Sequence, residues 1–306
     1  MSDPDYLTRD ARGRHWFTET LHGDFRTSYE LKQVLFDSAT PHQRLIVADS
    51  VRFGRLVALD GVTQLTMADE SAYHEMLAHV PILAHGRVED VLIIGGGDGG
   101  MAEEVLKHNG IRRLVMVEID AGVIDFARQH LAELHRNCFD DPRFDLVIAD
   151  GKDYAASAGD RFDLVIVDST DPIGPGEVLF TREFYADCKR LLKPGGVLVT
   201  QNGVPFFQAA ELRNTVFNFA RLFADAGCYL TVVPTYVGGF MALGWGTDDE
   251  ALRAVSVGDL EQRFQAAGLD TRHYTPELHK GAFALPRFIE DIVETARREA
   301  AQRQGG

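Results

Sequence analysis

Two stretches of this 306-residue chain carry residue types and spacings that could do chemistry. The first is Ile94-Gly-Gly-Gly-Asp-Gly-Gly100, which follows the apolar run Val91–Ile94. Gly95, Gly97 and Gly100 satisfy G-x-G-x-x-G, and Glu118 ends the next apolar run, at the distance expected of an acid that bonds ribose hydroxyls. That pattern points to a nucleotide-like ligand; the plainer alternative is a glycine turn needed only for tight helix–strand packing. A dinucleotide would bring a pyrophosphate to the helix N-terminus. Asp98 puts a carboxylate inside the loop, where it repels phosphate and suits a cation. A nucleoside carrying positive charge, such as a sulfonium, therefore fits better than NAD.

The second stretch is Val167-Asp-Ser-Thr-Asp-Pro-Ile-Gly-Pro-Gly-Glu177, at the tip of another apolar run. Ligands of open α/β sheets bind beyond the carboxyl ends of the strands, which puts Asp168 and Asp171 at the right edge. Pro172, Gly174, Pro175 and Gly176 give a stiff, shaped loop. Asp150-Gly151 sits at a third strand tip, where such folds contact the base; alone, Asp150 reads equally well as a helix N-cap. From Asp150 to Glu177 there are seven acids against Lys152 and Arg161. Asp153, Asp160 and Asp163 read as a solvated face.

The elements that must position these groups are legible from periodicity. Val91-Leu-Ile-Ile, Leu114-Val-Met-Val, Asp145-Leu-Val-Ile-Ala, Leu164-Val-Ile-Val and Val197-Leu-Val-Thr read as strands of a parallel sheet, buried on both faces. Helical patterns intervene at 101–109, 121–134, 180–192 and 208–226. Lys193-Pro-Gly-Gly stops a helix, Leu230–Val233 and Phe240–Leu243 suit a last strand pair, and 259–267 and 286–300 read as helices. Before Asp69 the texture is different: Leu45–Ala48, Val51–Leu59 and Val62–Thr66 are β-prone, with Asp60-Gly61 as a tight turn. The expected organisation is an N-terminal antiparallel β domain over 1–68 and a Rossmann-like, methyltransferase-type doubly wound α/β domain over 69–306.

Composition narrows the partners. A formal charge of −15 disfavours sequence-independent binding of nucleic acid and favours cationic ligands. Cys138, Cys188 and Cys228 are scattered, which suits a reducing compartment rather than a disulfide scaffold. His108, His130 and His135 show no metal-ligand spacing, and His79 and His85 read as helix-surface or core residues. The acidic start Met1-Ser-Asp-Pro-Asp is not followed by an apolar run, and no stretch is long enough to span a membrane, so a cytoplasmic protein without signal peptide is expected.

The chain resembles the polyamine aminopropyltransferase family, most closely the bacterial spermidine synthases. The resemblance runs from His15-Trp16 to Ala284-Leu-Pro286. It rests on His42-Gln43, Phe53-Gly-Arg-Leu-Val-Ala-Leu-Asp-Gly61, Asp69-Glu-Ser-Ala-Tyr-His-Glu-Met76, Gly95-Gly-Gly-Asp-Gly99, Val117-Glu-Ile-Asp120, Asp168-Ser-Thr-Asp-Pro-Ile-Gly-Pro175, Gln201-Asn202 and Pro234-Thr-Tyr236. It implies transfer of an aminopropyl group from decarboxylated S-adenosylmethionine to putrescine, leaving methylthioadenosine, with no cofactor or metal. By the same resemblance Gln43, Glu118, Asp150, Gly151 and Pro175 match the nucleoside site, beside Gly95 and Gly97. His74, Asp98, Ser169, Thr170 and Asp171 match the polyamine site, and Asp168 matches the proton acceptor. Tyr73 and Tyr236 match tyrosines lining the amine site, and Trp245 falls near an aromatic wall. A homodimer or homotetramer joined through the N-terminal strands is implied as well. Arg44, and Thr63-Gln-Leu-Thr66, depart from the family's usual residues, which bears on substrate preference. Other acceptors (cadaverine, agmatine, spermidine), an amine methyltransferase and a non-enzymatic polyamine sensor are the competing readings.

The chemistry asked of such a site is limited. A sulfonium is already a good leaving group, so the protein must present a neutral amine in line with the carbon to be transferred. Deprotonating an amine of pKa ~10.4 at pH 7 costs about 4.6 kcal/mol. An ordinary aspartate is a weak base for this, and burial among other carboxylates would raise Asp168 toward a better match.

Overall fold

The computed structural model describes residues 6–172 and 174–304, without the side chains of Thr20, Gly174, Pro175 and Gln304. The N-terminal pentapeptide that argued against a signal peptide lies outside the described residues. The chain forms two compact units, Met1–Glu70 and Ser71–Gly306.

The smaller unit is one antiparallel sheet in sequential order, β1 (Leu7–Arg9), β2 (His15–His22), β3 (Phe25–Ala39), β4 (Arg44–Ser50), β5 (Arg55–Leu59) and β6 (Val62–Thr66). Phe17, Tyr29, Leu31, Ile46, Ala48, Leu56 and Ala58 pack on one face. The β2–β3 hairpin is absent from the strands named from sequence, because its polar positions (Thr18, Glu19, Ser28, Lys32) mask the alternation. Val51–Arg52 do not extend the next strand: Ser50-Val51-Arg52-Phe53 turn back, with Ser50 Oγ accepting from the Phe53 amide at 2.8 Å.

The larger unit opens with helix α1 (Ser71–His85), buried on every side from Ser71 to Ala84. There follow β7 (Asp90–Gly95), α2 (Gly100–Leu106), β8 (Arg113–Glu118), α3 (Ala121–His130), α4 (Ala132–His135), β9 (Phe144–Ile148), α5 (Gly151–Ser157), β10 (Phe162–Asp168), α6 (Arg182–Leu191), β11 (Leu192–Gln201), α7 (Pro205–Ala220), β12 (Asp225–Thr231), β13 (Met241–Thr247), α8 (Val257–Ala267), α9 (Pro276–Ala282) and α10 (Arg287–Gln304). The sheet order is β12-β13-β11-β10-β7-β8-β9. β11, β10, β7, β8 and β9 are parallel, and β13 runs antiparallel between β11 and β12. This is the expected doubly wound fold.

The apolar runs explain the layers. Leu92, Ile94, Val165 and Val167 point to the face covered by Phe184, Tyr185, Cys188 and Leu191 of α6 and Phe219 of α7. Their neighbours Val91, Ile93, Leu164 and Ile166 are equally buried on the opposite face. β9 departs from expectation: it is the edge strand and only half-buried, since it has a partner on one side alone. The cysteines are free and buried. No helix among the described residues is long and apolar enough to cross a membrane.

Candidate active site

The strand order reverses between β7 and β10: the chain leaves β7 for β8 on one side and reaches β10 on the other. Such switch points open a crevice at the carboxyl edge. Both motifs meet there. Asp168 pairs with Gly95 in register, and the Gly96 amide donates to the Asp168 carbonyl at 3.1 Å. Gly95 has φ +88°, and a Cβ there would stand 2.1 Å from the Asp168 carbonyl oxygen. The glycine loop therefore lies directly on the tip that carries Asp168.

Helix α1 supplies the facing side chains. Tyr73 Oη donates to Asp168 Oδ1 at 2.5 Å. Asp168 Oδ2 and Ser169 Oγ are shielded from solvent and have no hydrogen-bond partner among the described residues. Burial pushes the Asp168 carboxyl up to about 6, and the Asp98 carboxylate adds to the rise; His74 and the Tyr73 hydroxyl pull it back. Burial and the Asp168 charge raise the Tyr73 phenol well above its ordinary range, so it is a donor throughout. His74 Nε2 stands 3.9 Å from Asp98 Oδ1, the oxygen that also accepts from the Gly100 amide at 2.7 Å. The Tyr236 ring meets Tyr73 edge-on at 6.2 Å. Tyr73, His74, Asp98, Asp168 and Tyr236 thus form one constellation.

Along the same edge Glu118 is buried at the tip of β8, with Oε1 accepting from the Asp120 amide at 2.9 Å. Burial lifts its carboxyl to about 7 against the pull of the surrounding backbone amides. A Cβ on Gly97 would come within 2.8 Å of Glu118 Oε2, so the bare loop lets the backbone approach this acid. Asp150 caps α5: its Oδ1 accepts from the Lys152 amide at 2.8 Å, which is the plainer of its two sequence readings. Gly151 is demanded by packing, since a Cβ would stand 2.4 Å from Ile94 Cγ2. Beyond Asp168, Thr170 and Asp171 fold onto Gly176, whose Cβ would lie 2.7 Å from the Asp171 carbonyl oxygen. Pro175 belongs to the 3-10 turn Gly174–Phe180, and its side chain lies outside the description. Gln43 lies in the smaller unit, where its amide donates to Thr40 Oγ1 at 3.1 Å and closes the β3–β4 turn.

Trp245 corrects an expectation. It is fully buried on β13, donates from Nε1 to Asp225 Oδ2 at 3.0 Å and packs on Tyr229 and Phe283. It belongs to the core between β12 and α9 rather than to a wall of the amine site. Sequence reasoning also passed over Glu75. This buried carboxylate accepts from the amides of Arg272, His273 and Tyr274 at 2.7, 2.8 and 2.7 Å, and so anchors α1 to a distant loop. One turn on, His79 Nδ1 meets His108 Nε2 at 3.0 Å, with Glu104 Oε2 3.0 Å from His79 Nε2. Burial holds His79 down at about 3 and His108 well below its ordinary value, so both are neutral. No group of three or more side chains among the described residues is arranged to hold a metal ion.

Comparison with known proteins agrees with this geometry. Residues 70–255 match the spermine/spermidine synthase domain, and residues 15–67 match the spermidine synthase tetramerisation domain. A polyamine aminopropyltransferase of Ruegeria sp. (strain TM1040) is 55% identical over 277 residues, covering 90% of this chain and 98% of its own. Polyamine aminopropyltransferase 1 of Pseudomonas aeruginosa is 50% identical, with 90% and 97% covered. Among solved structures, a spermidine synthase in complex with the transition-state analogue AdoDATO superposes with a TM-score of 0.87 at 32% identity, over 95% of this chain and 98% of that one. The Thermotoga maritima spermidine synthase gives 0.83 at 32% identity, over 92% and 95%.

Proposed function

Because this chain belongs to the spermine/spermidine synthase family and is a polyamine aminopropyltransferase, we propose that its acceptor is putrescine, its donor decarboxylated S-adenosylmethionine and its products spermidine and methylthioadenosine. The observation that carries this reading is the Asp168 carboxylate: one oxygen held by Tyr73, the other shielded and without a hydrogen-bond partner among the described residues, its carboxyl lifted to about 6.

On this reading Asp168 Oδ2 takes the proton from the attacking ammonium. The freed nitrogen lone pair attacks the donor's propyl carbon, and the carbon–sulfur bond breaks with its electron pair going to sulfur. A carboxyl near 6 remains largely ionised at pH 7 yet accepts a proton more readily than an ordinary aspartate. Tyr73 orients the carboxylate, and Asp171 holds the distal ammonium of a diamine, so charge spacing reads chain length. Asp98 faces the donor's aminopropyl ammonium; ordinary S-adenosylmethionine would bring a carboxylate there and be repelled. Glu118 accepts from the ribose hydroxyls. Asp150, Gly151, Pro175, Gly95 and Gly97 border the nucleoside. The match of residues 15–67 to a tetramerisation domain supports a homo-oligomer, which we take to be a homotetramer.

The test is competition in one vessel. Putrescine, cadaverine, agmatine and spermidine at equal concentration are offered limiting donor carrying a 13C-labelled aminopropyl group, and the labelled products are weighed by mass spectrometry. Spermidine is expected to dominate; an adduct of another amine in excess overturns the acceptor assignment.

A further inference from the structure

Helix α7 carries a carboxylate with no place in the scheme above. Gln208, at φ −118° and ψ 37°, breaks the first turn of this helix. Its side-chain oxygen accepts from the Val204 amide at 2.8 Å, and its Nε2 donates to Glu211 Oε2 at 3.3 Å. The other oxygen, Glu211 Oε1, is shielded from solvent without a hydrogen-bond partner among the described residues. One turn further, Asn214 Nδ2 donates to the Phe180 carbonyl at 2.8 Å and ties α7 to the segment that begins at Asp171. The titratable groups facing Glu211 are Asp171 from that segment and the Tyr185 phenol from α6, both acids. Burial, with Asp171 adding, pushes the Glu211 carboxyl up to about 8. A carboxylate with one oxygen sealed from solvent, beside a second carboxylate and facing no cation among the described residues, is an unfavourable arrangement unless a cation arrives.

We propose that Glu211 is a specificity-determining residue that shares the distal ammonium of the diamine with Asp171, its Oε1 accepting one of the ammonium's N–H bonds. The proposal rests on the diamine-acceptor reading above. Before the amine binds, Glu211 carries a proton at pH 7. On binding, that proton leaves to solvent, and the carboxylate meets the incoming ammonium; no covalent bond changes. Acceptor capture is therefore linked to release of a proton from α7, separate from the proton passed to Asp168.

The test compares the wild type with Glu211→Gln and Glu211→Asp. The probes are putrescine as substrate and n-butylamine, which has the same chain and no distal ammonium, as a competitive inhibitor. Loss of one charge-assisted hydrogen bond predicts that Glu211→Gln raises the KM for putrescine about 10- to 100-fold and changes kcat by less than about threefold. The Ki of n-butylamine should stay unchanged, and Glu211→Asp should recover part of the affinity. Calorimetry of putrescine binding to the methylthioadenosine complex at pH 7, in two buffers of different ionisation enthalpy, should count nearly one proton fewer released by Glu211→Gln. Equal shifts for both amines, or an unchanged proton count, overturn the proposal while leaving the acceptor reading intact. A wild type that turns over no diamine overturns both.

Discussion

Replacing Tyr73 by Phe removes one hydroxyl from the site and tests the link between geometry and proton transfer. The Tyr73 hydroxyl donates to Asp168 at 2.5 Å and favours the ionised carboxylate, partly offsetting the rise caused by burial and by Asp98. A hydrogen bond to a charged group contributes about 1.5–3 kcal/mol, which converts to roughly one to two pKa units. Without it, Asp168 should move from about 6 to a value nearer 7.5. The base acts only when ionised, so the acid limb of kcat/KM moves to higher pH. At pH 6.5 the ionised fraction falls from about three-quarters to about one-tenth, a loss near eightfold; at pH 9 the loss from this cause is below about 1.2-fold. The assay is steady-state release of methylthioadenosine between pH 5.5 and 9, plotted as the ratio of variant to wild type. The ratio cancels ionisation of the amine, which is common to both proteins. A ratio independent of pH would refute the reasoning, because a hydroxyl that only packs or orients would lower activity equally everywhere.

Three further outcomes follow from the same structure. Glu118→Gln should raise the donor KM about 10- to 100-fold, the size of a charged hydrogen bond; the wild-type affinity for methylthioadenosine, measured by calorimetry, should fall as pH drops through about 7, because ligand favours the ionised acid, and the variant should lack that dependence. Gly100→Ala places a Cβ 2.4 Å from the His74 ring, so the loop or the buried imidazole must shift; the expected cost is about 1–3 kcal/mol in urea unfolding, with kcat/KM reduced at every pH. Glu75→Gln leaves a single side-chain acceptor for three backbone amides and should cost about 3 kcal/mol by urea midpoint, with loss of turnover because α1 carries Tyr73 and His74.

The parts of the site legible in the sequence are those in which short-range pattern and function coincide. The parallel strands are apolar runs, and the ligand edge of such a sheet is fixed by topology, so Asp98, Glu118 and Asp168 could be placed before any coordinates. The value of Asp168 as a base could be argued only in direction, since its burial depends on Tyr73, 95 residues away. Other features were hidden for identifiable reasons. Glu75 is one acid in a motif, and its partners lie 197 to 199 residues further along the chain. Glu211 follows Gln208-Ala-Ala in a helix where a lone acid reads as solvated surface, and nothing local signals that its Oε1 is sealed in. Asp150 has two readings in the sequence, and the bond from the Lys152 amide shows the helix-cap one without bearing on the other. Trp245 was assigned by resemblance to an aromatic wall, but its indole is engaged by Asp225 across the β12–β13 pair.

The central claim, that Asp168 takes the proton of the attacking amine, is tested most directly by single-turnover transfer in Asp168→Asn. The amide is isosteric and can still accept from Tyr73, but it cannot take up a proton at neutral pH. With decarboxylated S-adenosylmethionine and putrescine mixed by rapid quench at pH 7.5, the transfer rate should fall about 10²- to 10⁴-fold, the usual loss of a general base. Donor affinity by calorimetry should stay within about threefold of wild type, since one bond to a neutral group at most is altered. A variant that transfers at near wild-type rate with the same pH dependence would contradict the account.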